Sequence, residues 1–383
     1  MAEAGSQLTN LQDGRRSGDT SAPICVALFN IKHFGAEPMA KPMIPRLFPL
    51  SFPFSAFRYV WHFNSIAFRK AWKAACESKG AVKLVIPKGK YLIGPIQFAG
   101  PCKHGYLRAI ASLSKYGSGS DWIEFGWVRG LTLTGGGILD GQGVKAWPFN
   151  KCTTNSSCQL LPINLKFVAM NQTVIKDITS VNSKFFHIAL VECRNFKGTE
   201  IKISAPASSP NTDGIHIERS SSVYISRSIV GSLGRYLNEK DVNGLVVRDC
   251  IMKETMNGIR IKTWADSPCS SSATNMTFEN IVMYNVTNPI IIDQTYCPYT
   301  SCPSLEPSRV KLRDIFFKNI RGTSSSKVAV RLECSRGIPC RNIYLEDVHL
   351  DLSSGKKHAT SSCKNVKAKY SGIKFLLHVH KSD

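Results

Sequence analysis

The chain has 383 residues, 43% hydrophobic and 20% charged, the balance of a globular protein long enough to bury a large core. No apolar run of about eighteen residues or more occurs, which excludes a membrane-spanning helix. The formal net charge of +22 favours a polyanionic partner. Nucleic acid and an acidic polysaccharide both fit on charge alone, and no zinc-finger spacing or bZIP-like basic helix argues for nucleic acid.

In chain order, residues 1–24 are polar and hold no apolar segment of signal-peptide type. Residues 37–64 form a Phe/Pro-rich insert whose prolines (Pro38, Pro42, Pro45, Pro49, Pro53) exclude a helix or a central strand. One amphipathic helix is expected around Lys70 to Ser78. From residue 128 onward the chain is a succession of short β-rich runs, often entered through Asn or Gly.

These runs fall into two interleaved series. One starts at Leu245, Met276, Val310 and Ile343, the other at Ile259, Ile290 and Val328, both with a period of thirty-odd residues. Strands recurring at such a period, with loops between them and no helix signal, predict an all-β solenoid, a parallel β-helix. A β-sandwich also has closely spaced strands but rarely keeps this register over four repeats. Upstream the series alternate through Val174, Ile188, Phe196, Ile215 and Val223. After Val223-Tyr224-Ile225 the alternation breaks once: a turn-like stretch, Gly231 to Tyr236, leads straight to Leu245 of the first series. An odd number of strand elements, most simply one or three, is absent at this junction.

The second series carries the candidate chemistry. In Gly258-Ile259-Arg260-Ile261-Lys262 the isoleucines point inward, so Arg260 and Lys262 share the outward face. In Gly214-Ile215-His216-Ile217 the same register turns His216 outward, with Asp213 just before the strand. Stacked coils align such groups in a column of Asp, His, Arg and Lys, whose cations suit uronate carboxylates. Each element alone also has a plain structural meaning. Asn211-Thr212-Asp213-Gly214 is a good turn sequence, Arg260 and Lys262 suit a solvated strand face, and Tyr296 suits a core aromatic beside a cysteine.

Thirteen cysteines, several closely spaced (Cys152/Cys158, Cys297/Cys302, Cys334/Cys340) and none in a C-x-x-C pair, read as disulfides rather than zinc ligands. Sequons at Asn155, Asn171, Asn275 and Asn285 agree with an oxidising, secretory setting.

Asn211-Thr212-Asp213-Gly214 followed by Arg260-Ile261-Lys262 resembles the polygalacturonases, pectin-degrading glycoside hydrolases. Further matches to their plant exo-type branch are Phe29 to Ala36, Ala67 to Pro95, Gly135-Gly136-Gly137, Asp140-Gly141-Gln142-Gly143 and Trp147. The resemblance implies a right-handed parallel β-helix with one short N-terminal helix, over 25–374, followed by a divergent tail, 375–383. It implies Asp213 as one of three catalytic carboxylates and Arg260, Lys262 and Tyr296 as galacturonate-binding residues, with Asn211 positioning the acids. It implies hydrolysis of α-1,4 galacturonosyl bonds with inversion, no cofactor and no metal, a monomer, and secretion to the cell wall. Its partner is then homogalacturonan, not nucleic acid or a membrane.

The family's G-D-D and G-H-G motifs, expected between the two landmarks, are missing. Inversion needs an acid and a base on opposite sugar faces, so little or no activity is expected of this chain. The family's ending also supplies a cysteine for Cys363, which the tail after Lys374 lacks. Two other readings remain at this point: a non-catalytic pectin-binding relative and, less well supported, a calcium-dependent pectate lyase, for which no carboxylate cluster is visible.

Overall fold

The computed structural model describes residues 7–8, 26–39, 55–100, 102, 106–107, 112–113, 121–150, 160–206, 209–210, 212–226, 241–297, 306–355 and 358–372. Asn211, Gly231 to Tyr236, Cys152, Cys158 and Asn155 lie outside these residues, as do most of the Phe/Pro-rich insert and the tail.

Parallel strands dominate, stacked coil on coil into a right-handed β-helix. One face is a single ten-stranded sheet in which each strand pairs with its counterpart one coil away. The opposite face is in two pieces. Five strands (Ile96–Ala99, Ile123–Gly126, Leu165–Val168, Ile188–Val191, Ile215–Glu218) make one sheet, and four (Asn257–Trp264, Asn288–Tyr296, Val328–Glu333, Thr360–Lys364) make another.

Alternation along each strand builds the interior. Ile215, Ile217, Ile259, Ile261, Ile290 and Ile292 are all buried, while His216 and Arg260 between them are only partly so. Phe98, Phe125 and Phe167 stack ring over ring at 4.9 and 5.5 Å on successive coils. Phe278 and Phe317 repeat this at 5.3 Å on the far side of the junction.

The corners explain the Asn and Asp that precede so many strands. Gln172, Asn195, Ser222, Gly244, Asn275, Asp314 and Asn342 occupy equivalent bends of successive coils, all at positive φ. Asp177, Asp249, Asn280, Asn319 and Asp347 do the same one strand length further on. Short polar side chains tolerate this left-handed conformation and bond to their neighbours: Asn280 donates to Asp249 at 3.0 Å and Asn319 to Asn280 at 2.8 Å.

The helix is longer than the sequence suggests, Ser55–Glu77 rather than Lys70 to Ser78. It begins two residues after Pro53, so the last ten residues of the Phe/Pro-rich stretch are helical; prolines exclude helix only as far as the last of them. Phe68, Ala71, Trp72 and Ala75 form its buried stripe, spaced three and four apart. The Trp72 indole donates to the Ala99 carbonyl at 3.0 Å, and the Cys76–Cys102 disulfide ties the helix to the first coils.

Three strand assignments shift, the first because Phe196 pairs with Thr173, not Val174. The column partner of Met276 is Ile315, not Val310, and that of Ile290 is Val330, not Val328. Both strands start before the shared column, because loops of unequal length feed them. At the junction, Ser221–Ser226 pairs directly with Val242–Lys253, matching Val223 to Leu245. The long sheet is therefore continuous where the alternation breaks. Among the described residues, no strand lies between Ile215–Glu218 and Asn257–Trp264 on the opposite face.

Candidate active site

Where the face is split, the structure holds a cavity of about 1050 Å³. On one side Asp213 and Gly214 lead into the last strand of the five-stranded sheet; on the other are Gly258, Arg260 and Lys262 of the first strand beyond. Tyr296 closes the wall from the next coil, and His187 lies beneath Asp213.

Arg260 and Lys262 point outward because Ile259 and Ile261 point in, and the corner at Asn257-Gly258 sets that phase. Next along the stack, Asn288–Tyr296 pairs with them in register: Arg260 opposite Ile291, Lys262 opposite Asp293. Asp293 accepts from the Arg260 guanidinium at 3.3 Å, and its other oxygen is held by the backbone N–H and hydroxyl of Thr295, each at 3.1 Å. Beyond Lys262 the register shifts so that Trp264 meets Tyr296, the rings edge to face at 5.6 Å. This bulge brings the Tyr296 ring under both cations, 5.0 Å from the Arg260 guanidinium carbon and 4.6 Å from the Lys262 ammonium.

Gln294, fully buried, anchors the same strand. It donates to the Val310 carbonyl at 2.9 Å and accepts from the Ser335 N–H at 3.1 Å. Ser335 follows the Cys334–Cys340 disulfide. The sequence pattern alone gave Asp293 and Gln294 no part; their signal is their position one and two residues after an inward isoleucine of the second series.

Lys262 is 9% exposed. Its pKa is lowered: burial disfavours the ammonium and Arg260 adds repulsion, while Asp213 and Asp293 pull the other way. Asp213 and Lys262 are thus within electrostatic reach of each other across the gap. The Arg260 Nε is also buried, without a hydrogen-bond partner among the described residues. The wall sets two cations beside an aromatic face, with the Asp213 and Asp293 carboxylates opposing them; cations over an aromatic ring are an arrangement that fits a carboxylated sugar.

The sequence placed His216 in the same column as Asp213, Arg260 and Lys262. The structure does turn it outward, but it is not among the residues lining the cavity. It stacks on Phe186 at 4.6 Å and lies 3.5 Å from Glu218, within a network that includes Arg219. The Glu218 carboxyl sits below its usual range: burial raises it, but His216, Arg219 and Lys166 outweigh that. The split face separates His216 from the cationic pair, because His216 belongs to the five-stranded sheet and Arg260 to the four-stranded one.

Other carboxylates reach only the rim. Glu200 pairs with Lys176 at 3.8 Å, Asp249 with Arg248 at 3.3 Å and Glu254 with Lys253 at 3.7 Å, all with solvent access. Such exposed pairs are unlike the desolvated pocket of a general acid. Among the described residues there is no group of three or more His, Cys, Asp or Glu placed to hold a metal ion. Cys363 forms no disulfide, its sulfur lying 3.2 Å from the Tyr370 hydroxyl, whereas Cys297 is disulfide-bonded.

Fold and site together define a right-handed β-helix whose interrupted face holds a cavity walled in part by Arg260, Lys262 and Tyr296. Comparison with known proteins gives its family. The family model for glycosyl hydrolases family 28 matches residues 76–231 and 228–372, two stretches that meet at the junction, and the chain belongs to that family. It is 42% identical over 347 residues to an exopolygalacturonase of Platanus acerifolia, covering 80% of this chain and 92% of the relative. A second exopolygalacturonase, from Arabidopsis thaliana, is 41% identical over 348 residues, covering 81% and 78%. Among solved structures, the fold matches endo-xylogalacturonan hydrolase from Aspergillus tubingensis with a TM-score of 0.63 at 20% identity, covering 90% of this chain and all of that one. It matches the exopolygalacturonase of Thermotoga maritima with a TM-score of 0.61 at 17% identity, covering 91% and 92%.

Proposed function

We propose that this chain is directed at homogalacturonan in the plant cell wall, as an exo-type polygalacturonase cleft that retains sugar binding but has lost most of its hydrolytic power. The observation that carries this reading is the single cavity in which Lys262, Arg260 and Tyr296 face Asp213 across a missing strand. Lys262 and Arg260 pair with uronate carboxylates, Tyr296 packs against the sugar, and Asp213 is the one family carboxylate left on that wall. Asn211 precedes it in the chain and, by the family pattern, orients the acids.

Hydrolysis with inversion needs one carboxyl to protonate the leaving oxygen and another to activate water on the opposite face, about 6.5–9.5 Å away. Asp213 cannot fill both positions. Losing a general acid or base costs about 10²–10⁴ in rate each. The paired rim carboxylates offer no replacement, so the chain binds its polymer as a monomer and turns it over slowly.

The test is to incubate purified chain with polygalacturonate, following binding by calorimetry and new reducing ends chemically. Salt-sensitive binding with very slow galacturonate release is expected. Release at the rate of an intact family enzyme would overturn the loss of activity. Absence of binding would overturn the assignment of the cleft. An unsaturated product formed only with calcium would favour a lyase.

A further inference from the structure

Thr263 and Gln294 continue the inward phase of Ile259-Arg260-Ile261 and Ile290-Ile291-Ile292, yet both are polar, and they are 0% and 1% exposed. Ser308, just before the strand Val310–Ser324, and Ser335, just after Val328–Glu333, are buried beside them. The four form a polar knot in the interior, directly behind the cationic wall. Thr263 follows Lys262, and Gln294 lies between Asp293 and Tyr296.

The Gln294 carboxamide is bonded at both ends. Its Nε2 donates to the Val310 carbonyl at 2.9 Å and faces the Thr263 hydroxyl at 3.4 Å, while its Oε1 accepts from the Ser335 N–H at 3.1 Å. A carbonyl on one side and an N–H on the other leave the amide a single orientation. Ser308 completes the knot: its hydroxyl lies 2.8 Å from that of Thr263, and its carbonyl accepts from the Ser335 hydroxyl at 2.9 Å. The Cys334–Cys340 disulfide closes the loop that carries Ser335.

Strand pairing shows what the knot holds. Lys262 pairs with Asp293 but Trp264 with Tyr296, so Gln294 and Thr295 together stand opposite Thr263 alone. On the outer side of this bulge Asp293 accepts from the Thr295 N–H and hydroxyl. On the inner side Gln294 is pinned to two further coils. With regular pairing, Thr295 would face Trp264, and the Tyr296 ring would lose its place 5.0 Å from the Arg260 guanidinium carbon and 4.6 Å from the Lys262 ammonium. An apolar side chain would fill the same interior volume without the cost of desolvating a carboxamide.

We propose that Gln294 is a positioning residue of the cleft: without touching a ligand, it fixes the bulge that keeps the Tyr296 ring under Arg260 and Lys262 and so shapes the wall that receives a uronate. Thr263, Ser308 and Ser335 hold Gln294 in turn. This role rests on the galacturonan reading of the cleft.

Two measurements on the whole chain test it. Fluorine NMR of fluorotyrosine-labelled protein, with the Tyr296 signal identified by its loss in Tyr296→Phe, reads the ring without any sugar. Gln294→Met keeps the volume and removes the bonds, and it is expected to shift or broaden that signal. Calorimetry with trigalacturonate reads the consequence: Gln294→Met should bind about five- to tenfold more weakly, the scale of a lost ring contact. In a Tyr296→Ala background the same substitution should change affinity less than about twofold, because no ring is left to place. Gln294→Glu, whose buried carboxylic acid keeps a donor and an acceptor while neutral, should retain most of the affinity at pH 5.

Melting curves show which variants fold. If Gln294→Met does not, Gln294→Glu carries the test, since ionisation at higher pH removes its donor and should move the Tyr296 signal where the unsubstituted chain shows no change. A Tyr296 signal unmoved in the folded variants, or an equal loss of affinity with and without the Tyr296 ring, would overturn the positioning role and leave the cleft assignment standing. No binding of trigalacturonate by the unsubstituted chain would overturn the cleft assignment, while the Tyr296 signal still decides whether Gln294 places the ring.

Discussion

The two faces of this solenoid respond differently to the same interruption. On the long sheet, Val223 pairs with Leu245 and the column of inward apolar residues continues as though nothing were missing. On the opposite face, Ile215–Glu218 and Asn257–Trp264 each end a sheet, and a cavity lies between them. The long sheet asks only for inward apolar residues at the right phase, which any coil supplies. The opposite face carries the Asp213, Arg260 and Lys262 side chains that line the cavity, each at one position only. Apolar spacing is therefore redundant along a solenoid, while a polar site depends on particular coils.

The most severe way to break this comparison is to repair the split face. On the proposed reading, inserting a segment that bears the family's G-D-D and G-H-G motifs between Val230 and Gly231 should raise galacturonate release by about 10⁴-fold or more, since an acid and a base return together. An unchanged rate would show that the defect lies elsewhere.

Next in size is the cationic wall. Lys262→Met should weaken binding of trigalacturonate by about ten- to a hundredfold and flatten its salt dependence, because a largely buried ammonium is the strongest local attraction for a carboxylate. Arg260→Ala should weaken binding comparably and also lower stability by about 1–3 kcal/mol, since Asp293 loses its partner in a half-buried site. Calorimetry and denaturant midpoints separate the two effects.

Stability against pH tests the floor of the cleft. His187 protonates near its ordinary value when unfolded but only at about 4 when folded. Between these values the unfolded chain binds the extra proton, so stability falls as pH drops from about 6.5 to about 4, by up to about 3 kcal/mol, and levels off below. Denaturant midpoints for the chain and for His187→Gln should diverge over that window and converge above it.

Amide exchange sharpens the contrast directly. Amides of Ile215–Glu218 and Asn257–Trp264, at sheet ends, should exchange faster than those of Ser221–Ser226 and Val242–Lys253, which have neighbours on both sides. Equal protection would mean the split face is as firmly closed as the continuous one. The smallest effect belongs to Tyr296→Phe. The ring face under Arg260 and Lys262 survives, so affinity should move by no more than about 1 kcal/mol.

Much of this was legible in the chain. The period of the isoleucines gave the solenoid, their alternation sent Arg260 and Lys262 outward, and the failed alternation after Val223 located the split. The site was legible only in part. His216 satisfies the same alternation, yet it falls on the other piece of the broken face, because alternation fixes a direction and not a neighbour. Asp293, Gln294 and His187 act through groups in other coils, and such pairings depend on corner and loop lengths. The same lengths displaced the expected starts at Val310 and Val328. The helix was underestimated because its first half, Ser55 to Phe63, is aromatic and polar without the clean stripe of Phe68 to Ala75.

The left-handed corners set the unit in which this molecule can change length. Each coil enters and leaves its straight runs through the same backbone bend, held by Gln172, Asn195, Ser222, Gly244, Asn275, Asp314 or Asn342. Any two such bends are interchangeable as splice points, since the chain arrives with the same direction and the same inward phase. The bends at Ser222 and Gly244 keep the long sheet in register although, among the described residues, the chain between them adds no strand to the opposite face. What the architecture conserves is the phase at each bend, not the length of chain from one bend to the next.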